Sequence, residues 1–128
     1  AILLSQLDLV HEIKDKKRKI VEKYKTELDN KYSFQQVEKN TEHSNWMFSV
    51  RIKNFNYHKE FDNSLGFETR PMFYPMSKHQ HLKKYACESN EEVAQALSNE
   101  CFMIPSHPNL TERDMDFIIN KLNGFING

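Results

Sequence analysis

The most informative segment of this 128-residue chain reads Gly66-Phe67-Glu68-Thr69-Arg70-Pro71-Met72-Phe73-Tyr74-Pro75. Gly66 can end a helix in the left-handed conformation, and an apolar strand is predicted over 67–73. Pro71 lacks a backbone donor, so this strand cannot continue past it as a central, fully paired strand. The segment therefore predicts a stiff loop that presents the cation of Arg70 beside aromatic faces. Loops of this kind commonly carry binding residues.

An amphipathic helix is predicted at the N-terminus, from the start of the chain to about Asp29. Its apolar residues recur at spacings of mostly three, four and seven, which is typical of one buried helix face. They are Leu3, Leu7, Val10, Ile13, Ile20, Val21, Tyr24 and Leu28. The pattern is already under way at Ala1, without an initiator Met or a capping residue. We therefore expect a piece of a longer protein, because so long a helix needs a large partner surface.

A small sheet is predicted from three apolar segments, 45–53, 67–73 and 101–104, with a further short extended segment at 32–37. The alternation over 45–53 predicts a strand with one face on a core. That face comprises Trp46, Phe48, Val50 and Ile52. The segment 101–104 is uniformly apolar and stops at Pro105, which is typical of a buried strand.

Three further helices are predicted between and after these strands. Tyr57, Phe61 and Leu65 give a two-turn helix that Gly66 can end. Ser89-Asn90-Glu91-Glu92 has the pattern of a capping box at the start of the next helix. The last helix opens at Thr111, with Gly124 near its end, and its apolar face comprises Met115, Ile118, Ile119, Leu122 and Phe125. The predicted fold is α/β, a long N-terminal helix plus about three strands covered by helices.

Composition excludes several classes of function. The chain has 18 basic and 18 acidic residues, whereas nucleic-acid and membrane surfaces need a clustered positive excess. It has three glycines and no Gly-rich loop to hold phosphates. No signal peptide or membrane span is predicted, and two cysteines are too few for a disulfide framework. We expect a cytoplasmic protein that binds neither nucleic acid nor membrane.

Several residues invite chemical roles, each with a simpler interpretation beside it. His79 and His81, with His107 and the cysteines Cys87 and Cys101, could ligate a metal, but no third ligand stands at a recognisable spacing. Cys101 lies in an apolar run, so a core thiol is favoured over a nucleophile. Core packing is likewise expected for Trp46, Phe48 and Phe73. Arg70 could offer a bidentate fork to a phosphate or carboxylate, or could form a surface salt bridge with Glu68 or Glu88.

Three segments together resemble the C-terminal part of the PLP-dependent nucleotide-sugar aminotransferases of the DegT/DnrJ/StrS type. They are Ala1-Ile2-Leu3-Leu4-Ser5-Gln6-Leu7-Asp8, then Ser44-Asn45-Trp46-Met47-Phe48-Ser49-Val50, and the stretch 66–76 with its echo at 104–111. The spacing of Lys17, Tyr24 and Leu28 also fits, with Lys17 where the family usually has Arg. The Trp-Met-Phe and Thr-Arg-Pro variants look most like perosamine synthase-type members.

This resemblance implies the small C-terminal domain of a fold-type-I PLP aminotransferase, with a long connecting helix at 1–30 and an α/β sandwich at 31–128. Family members transfer an amino group from glutamate to a nucleotide-linked 4-keto sugar, act as homodimers and serve polysaccharide biosynthesis. The large N-terminal domain, with its Schiff-base lysine, would lie upstream of Ala1. The resemblance therefore implies that this chain alone binds no PLP, contains no catalytic residue and is inactive.

The resemblance also implies which residues face the sugar nucleotide. They are Arg70, Met72, Phe73, Tyr74, Ser77 and His79. Arg70 would hold an anionic group, and Phe73 and Tyr74 would wall the pocket. Other members often have His where this chain has Ser77, so either Ser77 or His79 would meet a sugar hydroxyl.

Two other classes of function remain open at this point. A stand-alone interaction module would use the N-terminal helix to dock onto a partner, and it predicts an exposed apolar stripe over Leu3–Leu28. A small metal- or thiol-dependent enzyme would retain its metal through purification.

Overall fold

Four antiparallel strands form the centre of the fold in the part of the chain that the structure describes. The computed structural model describes residues 2–61, 65–85 and 91–128. The strands are β1 (Tyr32–Phe34), β2 (Phe48–Ile52), β3 (Arg70–Pro71) and β4 (Cys101–Ile104), and their order in the sheet is β1-β2-β4-β3. Strand β3 is therefore an edge strand, as the proline in it requires. Strand β1 occupies the segment that the sequence predicted to be extended.

Five α-helices accompany the sheet in the described part of the chain. They are α1 (Ile2–Leu7), α2 (Val10–Glu27), α3 (Tyr57–Glu60), α4 (Glu92–Glu100) and α5 (Glu112–Asn127). The predicted single N-terminal helix is thus interrupted at Asp8 and Leu9. Packing supplies most of the stability of a helix. Leu4 and Leu7 of α1 are exposed, so they contribute little packing to a continuous helix. No described helix combines the length and apolarity needed to cross a bilayer.

The core lies between one face of the sheet and the two longest helices. Phe48, Val50, Ile52, Phe102 and Ile104 come from that face, and all are buried. The helices contribute Ile20, Val21, Tyr24, Met115, Ile118, Ile119 and Leu122. Only the C-terminal half of the predicted N-terminal stripe is therefore in the core, and the predicted face of the last helix is confirmed.

Two aromatic residues that were assigned to the core are exposed. Trp46 precedes β2 and is 73% exposed, and Phe73 follows β3 and is 70% exposed. The prediction of core packing was wrong for both, whereas it is confirmed for Phe48. Each strand is shorter than its apolar alternation, so the outer aromatic lies beyond the hydrogen-bonded ladder.

Local signals around the helices were accurate to different degrees. Thr111 and Asp114 form a reciprocal capping box that starts α5, and the helix then runs through Gly124 to Asn127. Helix α3 ends at Glu60, so it is shorter than the predicted two turns. The predicted capping residues Ser89 and Asn90 lie outside the described residues.

Gly66 has the positive φ, 88°, that the sequence predicted for it. A Cβ at this position would lie 3.2 Å from Cζ of Phe117. We expect Gly66→Ala to lower the free energy of unfolding by about 1–2 kcal/mol, because an L side chain is strained in the left-handed region. Urea denaturation of the chain measures the change.

Gly124→Ala is the matched control for that substitution. Gly124 lies inside α5, and a Cβ there would meet nothing within 4 Å. Alanine should therefore stabilise the helix by about 0.5–1 kcal/mol. If Gly66→Ala and Gly124→Ala changed the free energy of unfolding in the same direction, a conformational role for Gly66 would be contradicted.

Candidate functional site

A cleft of about 440 Å³ opens beside Arg70 at the end of the sheet where β2 begins and β4 ends. The pairing of the strands creates it, because Arg70 is opposite Met103 in β4 and Phe48 is opposite Ile104. The residues just before β2 and just after β4 are consequently neighbours. The cleft is lined by Met47, Glu68, Arg70, Met103, Ile104, Pro105, Ser106 and His107. It combines a cation and an imidazole with apolar walls.

The guanidinium of Arg70 is available to an anion. Its Nε donates to Oε1 of Glu68 at 3.1 Å, and both side chains are largely exposed, at 70% and 76%. The surface salt bridge is thus formed with Glu68, while Glu88 lies outside the described residues. An exposed pair of this kind contributes little stability. The bridge occupies one of the five N–H donors of Arg70, so a phosphate or carboxylate can compete for the others.

The other predicted binding residues lie outside the lining of this cleft. Met72 lines a second cleft of about 550 Å³, together with Arg51 and Cys101. The amide of Met72 also donates to the Cys101 carbonyl at 3.2 Å, which extends the edge pairing past Pro71.

The residues after Met72 form a separate group outside the lining of the Arg70 cleft. Phe73 and Tyr74 are exposed. The Tyr74 ring lies edge-on to His79 with centroids 5.4 Å apart, and the His79 ring lies 5.5 Å from His81. Ser77 is half-buried in a short 3-10 turn, Met76–Lys78. The structure therefore brings Arg70 to a cleft and leaves the other predicted residues outside its lining.

Three residues of the cleft were not predicted as binding residues: Met47, Ser106 and His107. A signal for two of them was present, because 104–111 echoes the Pro-bracketed stretch after Gly66. The echo indicates that the stretch after Gly66 and 104–111 are similar. It does not indicate that β4 places these two segments side by side. Met47 lies on the other side of its predicted strand from Trp46 and Phe48, and it was quoted only within a segment that resembles the family.

The geometry of the described residues favours neither a nucleophilic cysteine nor a metal site. Cys101 is buried within β4, and this burial raises the pKa of its thiol above the ordinary value. Such a thiol is a poor nucleophile, so the predicted core thiol is confirmed, while Cys87 lies outside the described residues. Across the described part of the chain, no three His, Cys, Asp or Glu side chains converge as a metal site would require.

A half-buried ion pair supports the second cleft. Nε and Nη2 of Arg51 approach Oε2 of Glu100 at 2.7 and 2.6 Å, and the Asn54 amide donates to Oε1 at 2.9 Å. Burial alone would raise the pKa of Glu100, but the hydrogen bonds from Asn54 and Arg51 together lower it below its usual value. The carboxylate is therefore held ionised where α4 meets β4.

Several solved structures that share this fold are aminotransferases. A candidate sugar aminotransferase of Streptococcus pneumoniae, in its PLP form, matches with a TM-score of 0.82 at 18% identity, covering 97% of this chain and 34% of that one. A DegT/DnrJ/EryC1/StrS aminotransferase of Brucella abortus matches with a TM-score of 0.79 at 20% identity, covering 96% and 34%. At these identities the likeness shows the fold, and it confirms the predicted fold class.

Sequence comparison then identifies the family. The model of the DegT/DnrJ/EryC1/StrS aminotransferase family matches residues 1–123, and the chain belongs to that family. The GDP-perosamine synthase of Escherichia coli O157:H7 is 28% identical over 98% of this chain and 35% of its own length. That of Caulobacter vibrioides is 30% identical over 95% of this chain and 35% of its own length.

The chain thus spans about a third of the length of these relatives, a C-terminal portion. The resemblance to perosamine synthase-type members is confirmed. The stand-alone interaction module gains no support from these comparisons.

Proposed function

We propose that this chain is the C-terminal domain of a PLP-dependent aminotransferase that transfers an amino group from glutamate to a nucleotide-linked 4-keto sugar. The observation that carries the proposal is the cleft at Arg70, in a chain whose relatives include GDP-perosamine synthases. The chain would supply residues of the substrate pocket and close it. Residues 1–30 would connect this domain, residues 31–128, to a large N-terminal domain.

The residues of the cleft fit an anionic substrate and do not fit the cofactor. PLP, where an enzyme holds it, supplies an aldehyde that a lysine binds and an electron sink for the reaction. Among the residues that the structure describes, no lysine lines the Arg70 cleft, and the one carboxylate there, Glu68, is paired with Arg70. In this proposal the large domain holds PLP, and the present chain binds and orients the sugar nucleotide. Homodimerisation and a cytoplasmic location are part of the same proposal.

Arg70 is the residue that we assign to an anionic group of the substrate, such as a phosphate of the nucleotide. Its backbone lies in an edge strand that Pro71 restrains, so the base of the side chain is held beside the cleft while the exposed guanidinium can turn toward a ligand. A substrate anion that displaces Glu68 from Arg70 loses little free energy, because that ion pair is exposed. Met47, Met103 and Ile104 would supply apolar walls beside this contact. Phe73, Tyr74 and either Ser77 or His79 are proposed to contact the sugar nucleotide from the adjoining loop.

Kinetics of the full-length enzyme test this proposal through Arg70→Ala. We expect kcat/KM for the keto-sugar nucleotide to fall by about 10- to 150-fold, which corresponds to loss of a charged hydrogen bond of about 1.5–3 kcal/mol. Arg70→Lys keeps the charge but loses the fork, so it should restore only part of the rate.

The matched control is Arg113→Ala, which removes an exposed arginine from α5, away from the lining of the cleft. Its kinetics should equal those of the wild type. Unchanged kinetics for Arg70→Ala would refute the assignment of Arg70. An enzyme without any transfer to a keto-sugar nucleotide would refute the proposed function itself.

A further inference from the structure

The ammonium of Lys17 donates its hydrogen bonds to backbone carbonyls. Its Nζ donates to the carbonyl oxygens of Asn45 at 2.7 Å, Trp46 at 3.0 Å and Ser106 at 3.0 Å. An ammonium has three N–H donors, so this set uses all of them. Lys17 is half-buried, whereas Lys16 and Lys19 on the same helix are exposed.

The three acceptors belong to the two segments that form one end of the Arg70 cleft. Asn45 and Trp46 lead directly into Met47, and Ser106 leads directly into His107. Met47, Ser106 and His107 all line the cleft. A single side chain of α2 therefore joins the segment before β2 to the segment after β4.

A second donor from the same helix supports this arrangement. Tyr24 lies seven residues after Lys17, on the same face of α2, and its hydroxyl donates to the Pro105 carbonyl at 2.8 Å. Successive carbonyls, those of Pro105 and Ser106, are thus held by one helix. Tyr24 is fully buried, so this contact is part of the core, whereas the Lys17 contacts lie at the edge of the cleft.

The physical character of the Lys17 contacts suits positioning more than stability. Desolvation lowers the pKa of Lys17, and no carboxylate in the described part of the chain is bonded to its ammonium to offset that cost. The contacts instead restrain the positions of the two segments, because three carbonyl dipoles must converge on one nitrogen. Loss of the nitrogen would leave the two segments free to separate.

We propose that Lys17 is a positioning residue that holds Met47 and Ser106–His107 at a set distance from Arg70, and so determines how well the cleft accepts the nucleotide-linked sugar. This inference rests on the proposed function. It adds to that function a residue on α2 that does not line the cleft.

The test compares Lys17→Met, Lys17→Arg and the control Lys19→Met in the full-length enzyme. Lys17→Met should raise KM for the keto-sugar nucleotide by about tenfold, because small displacements of positioning groups are costly. KM for glutamate and the rate of its half-reaction should stay unchanged. Lys17→Arg supplies N–H donors to the same carbonyls and should recover part of the loss, and Lys19→Met should behave as the wild type.

Hydrogen–deuterium exchange provides a readout that does not depend on activity. Peptides covering 43–48 and 104–110 should exchange faster in Lys17→Met, and not in Lys19→Met. Faster exchange with an unchanged KM for the sugar nucleotide would overturn the inference and leave Lys17 a structural contact. Unchanged exchange would overturn it as well. A wild-type enzyme that transfers no amino group to a keto sugar overturns the proposed function instead, whatever the exchange shows.

Discussion

Phe102→Ala should lower the free energy of unfolding by about 3–5 kcal/mol, the cost typical of removing a fully buried aromatic ring. Phe102 has no exposed surface and lies in the middle of the sheet, in β4. The rings of Phe55, Tyr57 and Phe61 surround it at centroid distances of 6.4, 5.4 and 4.9 Å. Alanine would leave a cavity that these rings cannot fill without moving.

Urea denaturation of the chain measures this loss, and Phe73→Ala is the control. Phe73 is 70% exposed, so its replacement should change stability by less than about 0.5 kcal/mol. Phe102→Leu keeps most of the buried volume and should cost less than Phe102→Ala. Equal losses for Phe73→Ala and Phe102→Ala would contradict the assignment of one residue to the core and the other to the surface.

Glu100→Ala should be the second most destabilising of the changes considered, with a loss of about 2–3 kcal/mol. The carboxylate holds Arg51 and the Asn54 amide, and its own side chain is 11% exposed. Without it, the Asn54 amide loses its acceptor and Arg51 loses its counter-charge. Because the Arg51 side chain is 41% exposed, water can compensate part of that loss.

The same ion pair predicts how stability depends on pH. The pKa of Glu100 is lower in the folded chain than in the unfolded one, because the hydrogen bonds from Asn54 and Arg51 outweigh the effect of burial. Its contribution is therefore complete above the unfolded pKa and is lost as pH falls through the folded pKa. Glu100→Gln cannot titrate, so it should flatten the decline of stability below about pH 5.

Denaturant midpoints measured across acid pH for the wild type and Glu100→Gln give this result directly. Glu38→Gln, at an exposed position, is the control and should keep the slope of the wild type. Parallel curves for the wild type and Glu100→Gln would show that the pair does not contribute to the acid sensitivity.

Elements with strong local signals were predictable from the sequence. The run from Cys101 to Ile104 is apolar at every position and is bounded by Pro105, and it is β4. Thr111 and Asp114 are three residues apart, so their capping box could be predicted without knowledge of the fold. Trp46 and Phe73 show the limit of such signals, because alternation continues past the residues that are paired.

The candidate site was predictable only in part. Arg70 was identified because two prolines frame it, and the family was identified from segments quoted in order along the chain. Met47 and His107 were not assigned to the site, because their proximity to Arg70 depends on the pairing of β2 and β3 with β4. Lys17 was noted only for its spacing from Tyr24 and Leu28, and no contact was predicted for it.

The amino-acid sequence alone thus establishes the family, the apolar segments and the caps of this protein, because periodicity and capping depend on neighbours within a few residues. The lining of the cleft and the contacts of Lys17 depend on the folded structure. Lys17 is separated from Ser106 by 89 positions, and the contact forms only once α2 packs across the sheet. No local pattern encodes which carbonyls an ammonium will meet at that distance.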